Sequence, residues 1–484
     1  MRLRALSLPF VFALVNAASA QFPPTVTTTN HTMETVGGKL SYTATVGTMP
    51  IADSNNAVQA NMFFASYTKS GADPKTRPII FAYNGGPGSS TVWLHMGALG
   101  PKMANFTDDG ALPKPPYEAA WNPDTWVEFA DIVCIDAIGT GFSRTSKEGD
   151  RQFYGMTADI AAFGEFVRSY LTYFQRWRSP VFICGESYGG IRTGGLCKWL
   201  FDNGIAVTGN IVVSGTMNYQ NLSFSRGNDT PYVTFFPTYA ATAWYHKKLN
   251  SRLQKDLSAT VKEATKWLED EYVPALNKGD SLSPAEKQKV AKKLSEYTGL
   301  SESYCMQANL RIRAFNFFKE LLRDRGVTIG RLDGRILGTD ALDTGATPEY
   351  DPSSVAITAP YVSSLYDYLS RELLYKIDKK YNIYGSVQPW DYGRGNSYAD
   401  TSEDFRSAMN QNPHMKTLFT CGYYDMACPF YGMEYTVNHI DLKPQLRKNI
   451  EFTYYPAGHM MYIEKASRAR LARDVKSFVE RAIR

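Results

Sequence analysis

The segment that most restricts how this chain can fold is Gly185-Glu186-Ser187-Tyr188-Gly189-Gly190, which stands directly behind the apolar run Val181–Cys184. An apolar run of that length bounded by glycine reads as a buried strand, and the glycines after Tyr188 open a helix. A strand that turns straight into a helix leaves no room for side chains beside the turn. Glycine therefore flanks it, and the hydroxyl of the central serine is lifted clear of the sheet. A bare Gly-x-Ser-x-Gly arises by chance, and its meaning here comes from the strand before it and the helix after it.

The neighbouring sequence supplies a sheet for that strand to join. Ile79–Tyr83, Ile132–Ile135 and Ile211–Val213 are further short apolar runs, the pattern of parallel strands buried on both faces. Between the second and third strands lies a helical stretch. Thr157 is placed to cap it, and Ile160, Phe163, Val167, Tyr170, Leu171 and Phe174 form one apolar face. Alternation of this kind predicts a doubly wound α/β domain. From about Tyr239 to Tyr384 charge and helical spacing increase, as in Leu253–Leu268 and Ala285–Leu294, which predicts a helical insertion or cap. Strand character returns at Thr417–Thr420 and Phe452–Tyr455. A last amphipathic helix carries Leu471, Val475, Phe478 and Val479 on one side. The expected division is a leader over 1–20, core over 21–238, helical insertion over 239–384, and core again over 385–484.

The leader reads as a signal peptide: Arg2 and Arg4, an apolar stretch from Ala5 to Val15, then the small residues Ala18-Ser19-Ala20. Its apolar stretch falls short of the ~20 residues that span a bilayer. The mature chain is expected to begin near Gln21, to follow the secretory route and to have no membrane anchor. An acidic vacuole-like compartment is a second destination. Acceptor triplets for N-glycans at Asn30, Asn105, Asn221 and Asn228 suit that route. The formal net charge of +5 falls to +3 without Arg2 and Arg4, and no dense basic block appears, which argues against nucleic acid as a partner. Six cysteines permit up to three disulfides in an exported protein, although Cys134 and Cys184 sit in apolar runs and read as buried small hydrophobes. Neither a CxxC pair nor HExxH occurs, so no metal and no organic cofactor is implied.

A serine hydroxyl needs a base to become a nucleophile, and the base needs an acid to orient it; in this strand–turn–helix setting they follow in the order Ser, Asp, His. Six histidines are available. His31 and His95 precede Ser187, His246 lies at the approach to the insertion, His414 precedes the late strand, and His439 belongs to a segment between late elements. His459 stands in Ala457-Gly458-His459-Met460, straight after the last strand. Asp425 follows the strand at 417–420 in a loop at its C-terminal end, where α/β sites gather; Asp441 competes with it, since it too lies between Ser187 and His459. Asn84-Gly85-Gly86-Pro87-Gly88 follows Ile79–Tyr83, and backbone so poor in side chains suits an oxyanion site. The Gly86 and Tyr188 amides are the natural pair of donors.

Taken together, Asn84 to Gly88, Gly139-Thr140-Gly141-Phe142-Ser143, Gly185 to Gly189, Gly422 with Asp425, and Gly458-His459-Met460 resemble the serine carboxypeptidase family, in family order and across most of the mature chain. The resemblance implies an α/β-hydrolase fold, a mostly parallel central sheet flanked by helices with a helical cap insertion. It also implies removal of C-terminal residues from peptides, usually at acidic pH. By resemblance Ser187, Asp425 and His459 are catalytic and Gly86 and Tyr188 bind the oxyanion. Asn84, Gly85 and Glu186 would bind the terminal carboxylate of the substrate, with Met460 as a further contact. Glu186 can bind a carboxylate only when protonated. A free glutamate titrates near ~4.3, and burial beside an anion raises that value, so activity favouring acidic pH is expected. A histidine base titrates near ~6.5 and must be neutral, so carboxylate binding would have to help keep it so.

The chain departs from the family pattern at Ser89 (usually Cys), Ala98 (usually a second Glu), Ala82 (usually Trp) and Tyr462 (usually Pro). Ala82 and Ala98 both fall in the carboxylate-binding region. The leading reading is thus a secreted serine-type carboxypeptidase acting on peptide or protein C-termini through an acyl-enzyme. An esterase or acyltransferase using the same three residues on small esters is the alternative. A catalytically dead binding protein is a third reading, and it would be expected to have lost one of the three.

Overall fold

The computed structural model describes residues 23–107, 111–393 and 398–484; the leader read over 1–20 lies outside them. The chain opens with three antiparallel strands, β1 (Thr25–Thr35), β2 (Gly38–Ala52) and β3 (Val58–Lys69). Sequence reasoning missed this meander because Thr25–Thr35 is mostly polar. Its partner β2 alternates, with Leu40, Tyr42, Ala44 and Val46 buried and the residues between them more exposed. Next come β4 (Ile79–Tyr83), β5 (Asp131–Ile135), β6 (Val181–Glu186), β7 (Gly209–Val213), β8 (Lys416–Gly422) and β9 (Ile450–Tyr455). All belong to one ten-stranded sheet in the order β1-β2-β3-β5-β4-β6-β7-β8-β9, with the short strand Arg144–Thr145 also paired to β3. β3 meets β5 antiparallel, and every pairing from β5 to β9 is parallel.

The apolar runs seen in the sequence are continuous because both faces of the parallel part are covered. Ile79, Phe81, Tyr83, Val133 and Ile183 pack into one core, while Ile80, Ala82, Ile132, Cys134, Phe182 and Cys184 pack into a second on the other side. Helices α1 (Met156–Tyr173) and α2 (Gly189–Asp202) cover the first face. The start of α1 corrects the expected cap. Gly155, not Thr157, stands at the N-cap, because the Met156 amide donates to the Asp391 carbonyl at 2.8 Å and the returning chain fixes the entry.

Further along, α3 (Thr230–Tyr245), α4 (Leu257–Trp267) and α5 (Pro284–Thr298) form much of the helical region. α4 begins at Leu257, later than the spacing at Leu253 predicted, because the Asp256 carboxylate accepts from the Ala259 amide at 2.7 Å. α5 extends the expected Ala285–Leu294 in both directions: Ser283 and Glu286 make a capping box, and Gly299 ends it at φ 70°. The helix α6 (Pro352–Arg371) falls within the stretch assigned to the insertion, yet it packs Ile357, Tyr361, Leu365 and Tyr368 into the second core beside Trp93. The last helix, α7 (Lys465–Ala482), buries Leu471, Val475, Phe478 and Val479 there as its spacing predicted. No helix among the described residues is long and apolar enough to cross a membrane.

All six cysteines are buried free thiols, which corrects the allowance for up to three disulfides. Cys134 and Cys184 are core residues on β5 and β6, as expected. Two of the glycan acceptors are also corrected. Asn221 donates to the Gly432 carbonyl and to Thr436, and Asn228 to the Gln220 and Ser223 carbonyls, both with buried side chains. A glycan on either would break those bonds and has no room. Asn30 and Asn105 are exposed.

One buried charge cluster ties the start of β5 to the loop after α1. Asp131, at the start of β5, accepts from Arg77 Nε and Arg176 Nη1 at 2.7 Å each and from the Lys69 amide at 3.0 Å. Both guanidiniums are almost sealed from water, with side-chain exposures of 10% and 5%. Removing the shared acid leaves two buried cations that keep carbonyl and hydroxyl acceptors but no counter-charge in the cluster. Asp131→Ala is therefore expected to lower unfolding free energy by about 3–5 kcal/mol in a urea titration; a change below about 1 kcal/mol would show that the cluster is not structural.

Candidate active site

β6 ends at Glu186 and α2 begins at Gly189, so Ser187 and Tyr188 alone make the turn. Ser187 sits at φ 64°, a conformation that L residues adopt at a cost of about 1–3 kcal/mol. The strain is held by neighbouring backbone. The Ser187 amide donates to Val213 O at 3.2 Å, and Ser187 O accepts from Gly190 at 2.9 Å and Thr216 at 3.3 Å. A β-carbon on Gly190 would lie 2.5 Å from Thr216 O, and one on Gly185 would lie 2.3 Å from Gly189 O. These contacts are the physical reason for the glycines, and they leave the Ser187 side chain partly exposed at the top of the sheet.

Asp425 and His459 come from the loops after β8 and β9, adjacent strands of that same edge. His459 Nδ1 meets Asp425 Oδ2 at 2.8 Å, and Asp425 is fully buried. The other carboxylate oxygen accepts the Ala427 and Cys428 amides at 2.8 and 2.9 Å, which aims the group at the imidazole. The His459 amide donates to Leu332 O at 2.6 Å. Ser187 and His459 line one pocket with Asn84, Gly85, Gly86, Glu186 and Met460. Asp441 is exposed, and the imidazole is engaged by Asp425 instead.

The loop after β4 lies against this turn. A β-carbon on Gly85 would fall 2.4 Å from the Tyr188 nitrogen and 2.7 Å from Glu186 O, so only glycine permits the approach. Gly86, at φ 108°, comes next. Among the described residues neither the Gly86 nor the Tyr188 amide finds an acceptor. Two free donors beside a serine suit a developing oxyanion. The Gly139–Ser143 motif acts at one remove: Gly141 packs on Asp136, whose Oδ1 accepts the Thr91 amide at 2.7 Å and steadies the same loop.

Glu186 is buried behind the serine. Asn84 Nδ2 donates to its Oε1 at 2.8 Å, and the Asn84 amide group is oriented by the Leu94 N–H at 3.0 Å. The Tyr462 hydroxyl donates to Oε2 at 2.6 Å. Burial pushes the Glu186 carboxyl up to about 7, against the charge of His459 and the bonds from Tyr462 and Asn84. For His459, burial acts downward, while the Asp425 charge and hydrogen bond and the Glu186 charge more than reverse it. The imidazole ends above the ordinary histidine value.

Sequence reasoning recorded Tyr462 as a departure without assigning it a role. Its ring lies where a side chain on Gly97 would be, 2.4 Å from that position, so it fills the space beside Ala98 and meets the carboxyl that lacks a second acid. Ser89 holds Trp93 in the pocket wall, accepting from Nε1 at 2.8 Å. Arg192, fully buried, was also missed: it pairs with Asp159 at 2.8 Å and donates to Asn84 O at 2.6 Å, locking the β4 loop to α1 and α2. The signal was available in a charged residue two places after the glycines that open a buried helix. Arg331 and Tyr384 complete the pocket wall from segments whose sequence carries no pattern.

Comparison with known proteins identifies the family and the fold. The serine carboxypeptidase family profile matches residues 46–468. Serine carboxypeptidase S10 family member 1 of Dictyostelium discoideum is 26% identical over 187 residues, 37% of this chain and 40% of that protein's length. Lysosomal protective protein of Mus musculus is 23% identical over 416 residues, covering 81% and 77%. Among solved structures, the prohormone-processing carboxypeptidase Kex1(delta)p of Saccharomyces cerevisiae superposes with a TM-score of 0.51 at 15% identity, covering 90% of this chain and 91% of that one. That likeness supports the α/β-hydrolase fold. With the profile spanning most of its length, this chain belongs to the serine carboxypeptidase family.

Proposed function

We propose that this protein is a secreted serine-type carboxypeptidase that hydrolyses the C-terminal peptide bond through an acyl-enzyme. The observation that carries the reading is a buried carboxyl, Glu186, raised to about 7 and sharing one pocket with Ser187 and His459. A protonated Glu186, with Asn84 and the Gly85 backbone, accommodates a carboxylate that an ionised one would repel. In the proposed cycle His459 Nε2 takes the Ser187 proton as Oγ attacks the scissile carbonyl. Charge on the carbonyl oxygen develops against the Gly86 and Tyr188 amides, each such donor being worth about 100- to 1000-fold in rate. His459 then protonates the leaving amine, and water enters to release the shortened peptide. Asp425 holds the imidazole in the required tautomer throughout. Met460 contributes to the wall on the substrate side. Export fits the leader sequence and the exposed acceptors Asn30 and Asn105.

A second reading, ester hydrolysis or acyl transfer, is favoured by one observation: Ala98 stands where the family usually has an acid, and Tyr462, packed beside it, donates to Glu186 Oε2 instead. The two readings separate on blocked dipeptides. As a free acid against its C-terminal amide, the peptidase cleaves the acid in preference. Ser187→Ala removes activity by on the order of a millionfold and Asp425→Asn by about 10⁴-fold. Equal turnover of acid and amide, or hydrolysis of esters alone, would leave the triad and dismiss the exopeptidase.

The pH dependence has a definite sign. Glu186 is protonated below about 7 and charged above it, so kcat/KM for peptide acids falls as pH rises through that value. His459 must be neutral, so activity also falls at low pH; protonating Glu186 removes a charge that raises His459 and moves that limb downward. Glu186→Gln is expected to abolish the alkaline fall for peptide acids and to shift the acidic limb lower, read from kcat/KM between pH 4 and 9. An unchanged alkaline limb in the variant would show that Glu186 is not the group that titrates.

A further inference from the structure

Arg331 stands in the pocket that holds Glu186, Ser187 and His459, and among the described residues no other lysine or arginine lines it. Its backbone is fixed at the site from both sides. The amide donates to Asp351 Oδ1 at 3.0 Å, the carbonyl accepts from Met426, next to Asp425, at 3.1 Å, and the following residue bonds His459. The side chain is treated differently. It forms a loose ion pair with Asp351 Oδ2 at 3.7 Å, beyond hydrogen-bonding range, and among the described residues that oxygen accepts no hydrogen bond. Among the described residues the guanidinium makes no hydrogen bond, and its side chain is 42% exposed.

A cation paired only loosely with Asp351, its donors otherwise open to solvent and rooted beside these loops, is free to take an acceptor from a bound ligand. Glu186 is not that acceptor: among the described residues no ion pair joins it to Arg331, and its oxygens are bonded by Asn84 and Tyr462 instead. Beyond Ser89, whose hydroxyl holds Trp93, the rest of the wall is Trp93, Leu332, Ile357, Tyr384 and Met460, and none of these carries a charge for a substrate side chain. The planar fork of arginine matches a carboxylate through two parallel bonds, and a half-desolvated wall strengthens them.

We infer that Arg331 makes this site selective for substrates bearing an Asp or Glu side chain at one of the two residues flanking the scissile bond. The inference rests on the peptidase reading for its substrate class, with the C-terminal carboxylate left to Asn84, Gly85 and Glu186.

The test compares kcat/KM for blocked dipeptide acids that carry Glu, Gln or Lys at each flanking position, and for ethyl esters of blocked Glu and Gln. The unmodified protein should prefer Glu by about tenfold or more at one position, the size of a charge-assisted bond. Arg331→Met should bring that ratio close to one, and Arg331→Glu should reverse it in favour of Lys, a gain that a misfolded variant could not show. Equal rates on Glu and Gln in the unmodified protein, or a ratio that survives both substitutions, would overturn the inference. So would loss of acid-over-amide discrimination alone in Arg331→Met, since Arg331 would then hold the terminal carboxylate. Esters that show the Glu preference while no peptide is cleaved would support the role of Arg331 and refute the peptidase reading.

Discussion

Ser187 is held at a left-handed φ between a strand and a helix, and the rest of the site is arranged around keeping it there. The strain is offset by bonds to Val213, Gly190 and Thr216, which requires β7 and the chain after it to pass close to the turn. That passage requires glycine at 190, the turn into α2 requires it at 185, and the β4 loop comes near enough that Gly85 nearly touches the Tyr188 nitrogen. One strained residue thus dictates the glycine pattern, the parallel order β4-β6-β7 and the position of two unpaired amides. The same geometry gives the sheet a fixed upper edge. From that edge the loops after β8 and β9 deliver Asp425 and His459.

Behind the serine the chemistry is governed by buried polar groups that hold each other in place. Arg192 neutralises Asp159 and pins Asn84 by its carbonyl; Asn84 in turn bonds Glu186. Tyr462, three residues past His459, closes the other side of Glu186. A carboxyl in such surroundings is hard to ionise, and its charge state is coupled to that of His459 through space. Family members usually place a second acid at the position of Ala98. Here an aromatic hydroxyl occupies the neighbouring space, so Glu186 meets a donor that carries no charge of its own.

What could be read in advance follows from how locally each feature is encoded. The parallel strands were legible because burial on both faces makes Ile79–Tyr83 or Val181–Cys184 apolar throughout. The elbow was legible because sterics leave glycine little choice. His459 and Asp425 could be chosen from the few histidines and from loop position. β1 was invisible, since a half-exposed edge strand rich in threonine looks like loop. α6 carried a helical pattern, yet nothing local said that it would pack on the sheet beside Trp93 rather than with the insertion. The burial of Asn221 and Asn228 depends on contacts more than two hundred residues away for Asn221 and on a tight turn for Asn228, and no acceptor triplet reveals either. Tyr462 and Arg331 become informative only when their distance to Glu186 and Ser187 is known.

The central claim is that Ser187 is a nucleophile activated by His459. Treatment with a fluorophosphonate followed by peptide mass mapping tests it directly. A single adduct on Ser187, formed at least a hundredfold more slowly in His459→Ala, is the result this account predicts. Modification at another residue, or labelling of Ser187 at the same rate without the imidazole, would contradict it.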